Sequence, residues 1–309
     1  MKKILIETDS LTKHYGKFIA LDNVCLQLKE GEIYGLIGKN GAGKTTLMRT
    51  LVGLSIPTAG RITLFGKEHE KNIQIEQKNI GCMIENPSIV PYMTARQNLQ
   101  LHQILRGIKK TDCKAELELV GLSADLKKKA KDFSLGMKQR LGIAIALLSN
   151  PQIVILDEPI NGLDPIGVTE IRNLIIDLCK NKNITILISS HNLPELYQVA
   201  TQYIFIDSGK IVKSMSLEEL EKESNPHLLI GCKQLDNLIN VLKSILHTNN
   251  YKAISDTELE LYDYLTDIEY VSRVLSENDI VVTNLSYQEE TLENYFLSLV
   301  GGAKNAWFD

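Results

Sequence analysis

Nowhere does the chain hold an apolar run approaching the roughly 20 residues that a membrane-spanning helix needs. The first apolar stretch, Ile4-Leu5-Ile6 after Met1-Lys2-Lys3, is too short for the core of a signal peptide. If the protein works at a membrane, another component takes it there. Cysteine is scarce as well: Cys25, Cys82, Cys113, Cys179 and Cys232 are scattered, odd in number and never spaced as a metal-binding pair. That argues against a disulfide framework and for a reducing, cytoplasmic setting. Positive charge is not in excess either. A formal net charge of −4 speaks against holding nucleic acid through overall charge, and no nucleic-acid partner is expected. Internal repeats and low-complexity tracts are also missing.

What is present fits an ordinary globular protein, with 44% hydrophobic and 23% charged residues. At 309 residues it is long for one domain, so two are expected. Short apolar runs recur between helical patterns, most clearly Ile33–Ile37, Ile80–Ile84, Ile153–Leu156 and Thr185–Ile188. These runs do not alternate polar with apolar, which predicts a parallel sheet covered on both faces. Val24–Leu28 and Arg61–Phe65 do alternate, and predict an antiparallel sheet at the edge. Residues 1–216 thus read as an α/β domain with an added β subdomain. Residues 217–226 read as a charged helix ended by Ser224-Asn225-Pro226. Residues 227–309 follow a β-α-β-β-α-β order with a last helix over Leu292–Val300, a small ferredoxin-like α+β domain.

The sharpest motif is Gly38-Lys39-Asn40-Gly41-Ala42-Gly43-Lys44-Thr45, which matches G-x-x-x-x-G-K-[ST] after an apolar strand and before a helix. Glycines let the backbone wrap so that successive N–H groups point at phosphate oxygens, and the positive end of the helix faces the same point. Lys44 is expected to contact the β- and γ-phosphates of ATP, the Thr45 hydroxyl to bind Mg2+, and Thr46 to join the ATP-binding set. A chance glycine-rich turn can carry the same letters, but the flanking strand and helix are what the phosphate-loop reading requires. Further on, Ile153-Val154-Ile155-Leu156 ends in Asp157-Glu158-Pro159. Asp157 is placed to hold the Mg2+ shell, and Glu158 to polarise the attacking water as general base. Two solvated acids at a strand end are the plainer alternative. Upstream lies Phe133-Ser134-Leu135-Gly136-Met137-Lys138-Gln139-Arg140-Leu141, with Ser134 as helix cap and an apolar face through Leu141, Ala144 and Leu148. Alone, this is simply a capped amphipathic helix.

Taken together and in their order along the chain, the motifs over residues 4 to 215 resemble the ATP-binding-cassette (ABC) ATPases. The resemblance implies that Tyr15 stacks on adenine, that Glu85 stands at the glutamine loop, that Asn161-Gly162-Leu163-Asp164 is the D-loop and that His191 is the switch histidine. It also implies a pairing of two cassettes head to tail. Ser134 and Gly136 of one would then meet the γ-phosphate bound by Lys44 of the other. One cassette per chain makes a homodimer the economical expectation.

Two motifs depart from the family pattern, at three positions. Leu135 and Met137 replace the first glycine and the glutamine of Leu-Ser-Gly-Gly-Gln, and Glu85 replaces the usual glutamine, bringing a carboxylate to the Mg2+ site. Glu85 together with Ser134–Leu141 is similar to the exporters of bacitracin resistance and lantibiotic immunity. The implied function is an ATP-hydrolysing subunit, peripheral on the inner face of the cell membrane through a separate multi-span permease. The region from Glu85 through Pro91 to Asn98 would dock that permease. The alternative is a soluble ABC ATPase acting on ribosomes or nucleic acid. It is disfavoured because the chain carries neither a second cassette nor a long coiled-coil insertion.

Overall fold

The structure is a computed structural model describing residues 2–68, 76–123, 127–190, 193–223, 226–288 and 295. It divides into two compact units between Leu217 and Glu218. In the first unit the strands are β1 (Ile4–Tyr15), β2 (Phe18–Lys29), β3 (Ile33–Ile37), β4 (Ala59–Leu64), β5 (Lys67–Glu68), β6 (Ile80–Met83), β7 (Ile153–Asp157), β8 (Thr185–Ser190), β9 (Gln202–Asp207) and β10 (Lys210–Ser216). Its helices are α1 (Lys44–Leu51), α2 (Ala95–Leu105), α3 (Lys114–Leu119), α4 (Leu135–Leu147), α5 (Pro165–Lys182) and α6 (Leu193–Tyr197).

A six-stranded sheet runs in the order β10-β9-β3-β8-β7-β6. All its neighbouring strands are parallel except β10, which pairs antiparallel with β9. Every residue of β3, β7 and β8 is buried, as expected of strands covered on both faces. The second sheet, β2-β1-β4-β5, is antiparallel. Along β2, Val24, Leu26 and Leu28 are buried while Cys25 and Gln27 are exposed, which is the period-2 signature of a sheet with one wet face. The inward side chains of both sheets and of α1 merge into one core that includes Leu5, Leu21, Leu36, Leu47, Ile155 and Ile204.

Helix α7 (Leu217–Glu223) starts at the division, and the second unit goes on with β11 (His227–Cys232), α8 (Leu235–Ser244), β12 (Tyr251–Ala253), β13 (Glu258–Leu261), α9 (Ile268–Glu277) and β14 (Val282–Gln288). Its sheet runs β12-β13-β11-β14 with every pair antiparallel, the ferredoxin-like arrangement. Leu228, Ile230, Leu259 and Leu261 of the sheet share a core with Leu242 of α8 and Val271 of α9. The last strand starts at Val282, after a turn that closes the end of α9. Asp279 turns the chain at φ +57, and the Ile280 N–H closes back on the Leu275 carbonyl at the end of α9. The helix expected over Leu292–Val300 lies outside the described residues apart from Tyr295, which is buried. Among the described residues no helix is long and apolar enough to cross a membrane.

Candidate functional site

Parallel pairing delivers the carboxyl ends of β3, β8, β7 and β6 to a single edge of the sheet, where ligands bind in open α/β folds. The Gly38–Thr45 segment leaves β3 there and enters α1. Gly43 stands at the N-cap of α1 with φ +108, and a Cβ on it would come within 2.7 Å of the Ala20 carbonyl oxygen. Only glycine fits that point. The loop is pinned from both sides: the Ala42 N–H donates to the Lys39 carbonyl, and the Gly209 N–H donates to the Ala42 carbonyl. Among the described residues no side chain caps α1, which leaves the N–H groups of its first turn facing the loop where an anion would sit.

Lys44 is buried. Its ammonium donates to the carbonyls of Gly38 at 2.7 Å and Lys39 at 3.3 Å, and stands 4.0 Å from Glu158 Oε1. Burial pushes the Lys44 pKa below its ordinary 10.5, and the nearby Glu158 and Asp157 carboxylates oppose that shift. Its neighbour Thr45 donates its hydroxyl proton to Asp157 Oδ2 at 2.8 Å. The other oxygen of Asp157 accepts from the Ser189 hydroxyl at 2.6 Å, and Ser189 Oγ in turn accepts from the Glu158 N–H at 3.0 Å. Ser189 sits opposite Asp157 in the β7–β8 register, which is why one hydroxyl serves both acids.

The two adjacent acids diverge where the strand ends. β7 ends at Asp157, and Glu158 takes a left-handed φ of +48. Its carboxylate therefore faces Lys44 and accepts from the Asn161 side-chain amide at 3.1 Å. Strain of this kind in a non-glycine residue persists only where its surroundings over-determine it. Here the Ser189 and Asn161 hydrogen bonds do so.

Glu85, just past β6 at φ +64, accepts from Arg49 Nη2 at 2.5 Å, and both side chains are exposed. Arg49 lies one turn beyond Thr45 on α1, so Glu85 is tied to the phosphate-loop helix through a cation. Downstream of it, fully buried Asn98 organises the loop that precedes α2. Its side chain accepts from the Val90 N–H at 2.7 Å and donates to the carbonyls of Val90 and Thr94. Tyr15, about half exposed at the end of β1, carries the Lys13 ammonium 4.9 Å from its ring centroid and bonds Ser55 through its hydroxyl.

Ser134 caps α4 by accepting from the Met137 N–H at 3.2 Å, with Gly136 in the first turn. Among the described residues no hydrogen bond joins Ser134 or Gly136 to the Gly38–Thr45 loop. His191 lies outside the described residues; Ser189 and Ser190 just before it end β8. Sequence reasoning missed Arg49 and the double role of Ser189. Helical spacing offered a weak hint of the first, since Arg49 follows Thr45 by four residues. Nothing local marked the second, which depends on strand register.

The sequence profile of the ABC transporter family matches residues 21–161. The bacitracin transport ATP-binding protein BcrA of Bacillus licheniformis is 40% identical over 299 residues, spanning 96% of this chain and 98% of its own. The lantibiotic transport ATP-binding protein SrtF of Streptococcus pyogenes is 41% identical over 236 residues, spanning 76% of this chain and 96% of its own. Among solved structures, the dimeric bacterial ABC transporter cassette MJ0796 aligns with a TM-score of 0.63 at 25% identity, covering 69% of this chain and 99% of that one.

Proposed function

The chain belongs to the ABC transporter family as an ATP-binding, ATP-hydrolysing subunit, and from that premise we propose that it drives export of a peptide antibiotic through a separate multi-span permease. A bacitracin-type cargo is favoured over a lantibiotic. The observation that carries this is the extent of the match: similarity to the bacitracin protein spans both units, whereas the lantibiotic protein matches 76% of the chain.

In this reading the Gly38–Thr45 amides and Lys44 hold the phosphates, with Thr46 beside them, and Tyr15 offers adenine the ring face not taken by Lys13. The residues present suit Mg2+. The Thr45 and Asp157 oxygens lie 2.8 Å apart, close to the separation of about 2.9 Å between adjacent oxygens around an octahedral Mg2+. When bound, the ion neutralises charge on the β- and γ-phosphates. Glu85, which holds Arg49, is the further carboxylate near the phosphate-loop helix that could join the Mg2+ shell.

Glu158 accepts a proton from the water that attacks the γ-phosphorus. The new P–O bond replaces the one to the bridging oxygen, and ADP leaves with that oxygen. Two copies pair head to tail, so that Ser134 and Gly136 of one present a helix N-terminus to the γ-phosphate held by the other. His191 contacts the same phosphate. The permease docks on the loop ordered by Asn98, which places the protein on the inner face of the membrane.

Glu158→Gln tests the scheme. It should bind ATP, form stable dimers in size-exclusion chromatography and lose turnover. Persistent hydrolysis would refute the base assignment. Co-purification from membranes with a multi-span protein is expected, and recovery on ribosomes instead would overturn the transport reading.

A further inference from the structure

Within one subunit, the first turn of α4 interlocks with the turn that follows Glu158. A methyl of Leu135 lies over Gly162, so near that a Cβ there would come within 3.3 Å of it. Reciprocally, Leu163 lies over Gly136, 3.7 Å from where a Cβ would stand. Leu163 also rests on the first turn of α5, against Gly167. Further along the same pair of helices, Arg140 of α4 is bridged to Glu170 of α5 at 3.0 Å. The start of α4 and the turn that leads into α5 therefore face each other through Leu135 and Leu163, with an ion pair behind them.

The far side of the same turn is tied to the general base. The Asn161 side-chain amide donates to Glu158 Oε2, and the Asn161 backbone N–H donates to the Glu158 carbonyl at 3.2 Å. Leu135 is 45% exposed, so burial alone gives it little reason to be there. Its place is better explained by what it touches. Glycine, usual at this position of the family's signature, would leave Gly162 without that neighbour.

We propose that Leu135 is a positioning residue that links the two ATP sites of the dimer. The inference rests on the head-to-tail pairing argued above. When the first turn of α4 closes on the partner's γ-phosphate, the displacement passes from Leu135 to Gly162 because close-packed atoms cannot interpenetrate. From Gly162 it passes to Asn161, and through its hydrogen bonds to the Glu158 carboxylate of the subunit's own site. Each site is thereby set by occupancy of the other.

The experiment compares steady-state ATP hydrolysis by the full chain, Leu135→Ala and Leu135→Met, with ATP-driven dimerisation measured in the Glu158→Gln background. Wild type should hydrolyse ATP with a Hill coefficient well above 1. Leu135→Ala should lower kcat about fivefold, move the Hill coefficient toward 1 and leave the half-saturating ATP concentration within about twofold. Leu135→Met, which conserves volume, should restore both. Glu158→Gln combined with Leu135→Ala should still dimerise. Unchanged kcat and Hill coefficient in Leu135→Ala would overturn the inference alone, as would loss of the dimer in the double variant, which would make Leu135 an interface residue. A Glu158→Gln protein that stays monomeric with ATP would overturn the head-to-tail reading, and this inference with it.

Discussion

Replacing Ser189 by alanine tests the site through the one hydroxyl that holds both acids. Ser189 is fully buried, donates to Asp157 Oδ1 at 2.6 Å and accepts from the Glu158 N–H at 3.0 Å. Loss of the first removes a hydrogen bond to a charged group, worth about 1.5–3 kcal/mol, and loss of the second orphans an amide at about 1–3 kcal/mol. Asp157 keeps the Thr45 hydroxyl, so partial compensation brings the expected cost to about 2–4 kcal/mol. In a unit of this size each kcal/mol moves the midpoint by about 2–4 °C, which predicts a fall of about 4–16 °C in calorimetry of the full chain. Catalysis should suffer separately. Glu158 is kept at φ +48 by the same bond, so kcat should drop about tenfold or more while the half-saturating ATP concentration stays within about twofold. A midpoint within about 2 °C of wild type together with unchanged kcat would refute the reasoning.

Two further predictions concern the phosphate loop. Gly43→Ala places a Cβ 2.7 Å from the Ala20 carbonyl oxygen at φ +108, and should weaken ATP binding about a hundredfold or more in equilibrium titration. Gly41→Ala is the control: its φ of +81 is strained too, but nothing lies within 4 Å of the added carbon, and a loss of only about fivefold to tenfold is expected. Equal losses would show that the Ala20 contact is irrelevant. The second concerns Lys44, whose pKa burial holds below 10.5. The unfolded chain binds that proton more tightly, so this group's contribution to stability rises with pH from the folded value up to 10.5. Phosphate beside the ammonium favours its charged form, so ATP binding in that alkaline window should draw a proton from solution. Calorimetric titration in buffers of different ionisation enthalpy reads it, and a binding enthalpy independent of buffer would refute it.

Some of this could be read without coordinates because it is encoded locally. The apolar runs at Ile33–Ile37 and Ile153–Leu156 gave buried parallel strands, since covering both faces leaves no polar alternation. The β-α-β-β-α-β order after His227 gave the second sheet, because short apolar stretches such as Leu228–Cys232 and Leu259–Leu261 alternate with two short amphipathic helices. Glu85 stood out as a departure from its family's pattern. Its partner did not: Arg49 is 36 residues away and meets it only where α1 passes the end of β6.

The sequence by itself determined which groups the site contains, because glycines, a lysine, a threonine and two adjacent acids at these spacings specify a phosphate loop and an acidic strand end. Register and chain crossing decided how those groups are joined. Ser189 serves Asp157 and Glu158 because β8 lies beside β7 in one register; a shift of one residue would turn its hydroxyl to the opposite face. Leu135 meets Gly162 because α4 and α5 pack together, 27 residues apart in the chain. Spacing along a chain reports chemistry, whereas contact between distant residues depends on how the sheet and helices close around them.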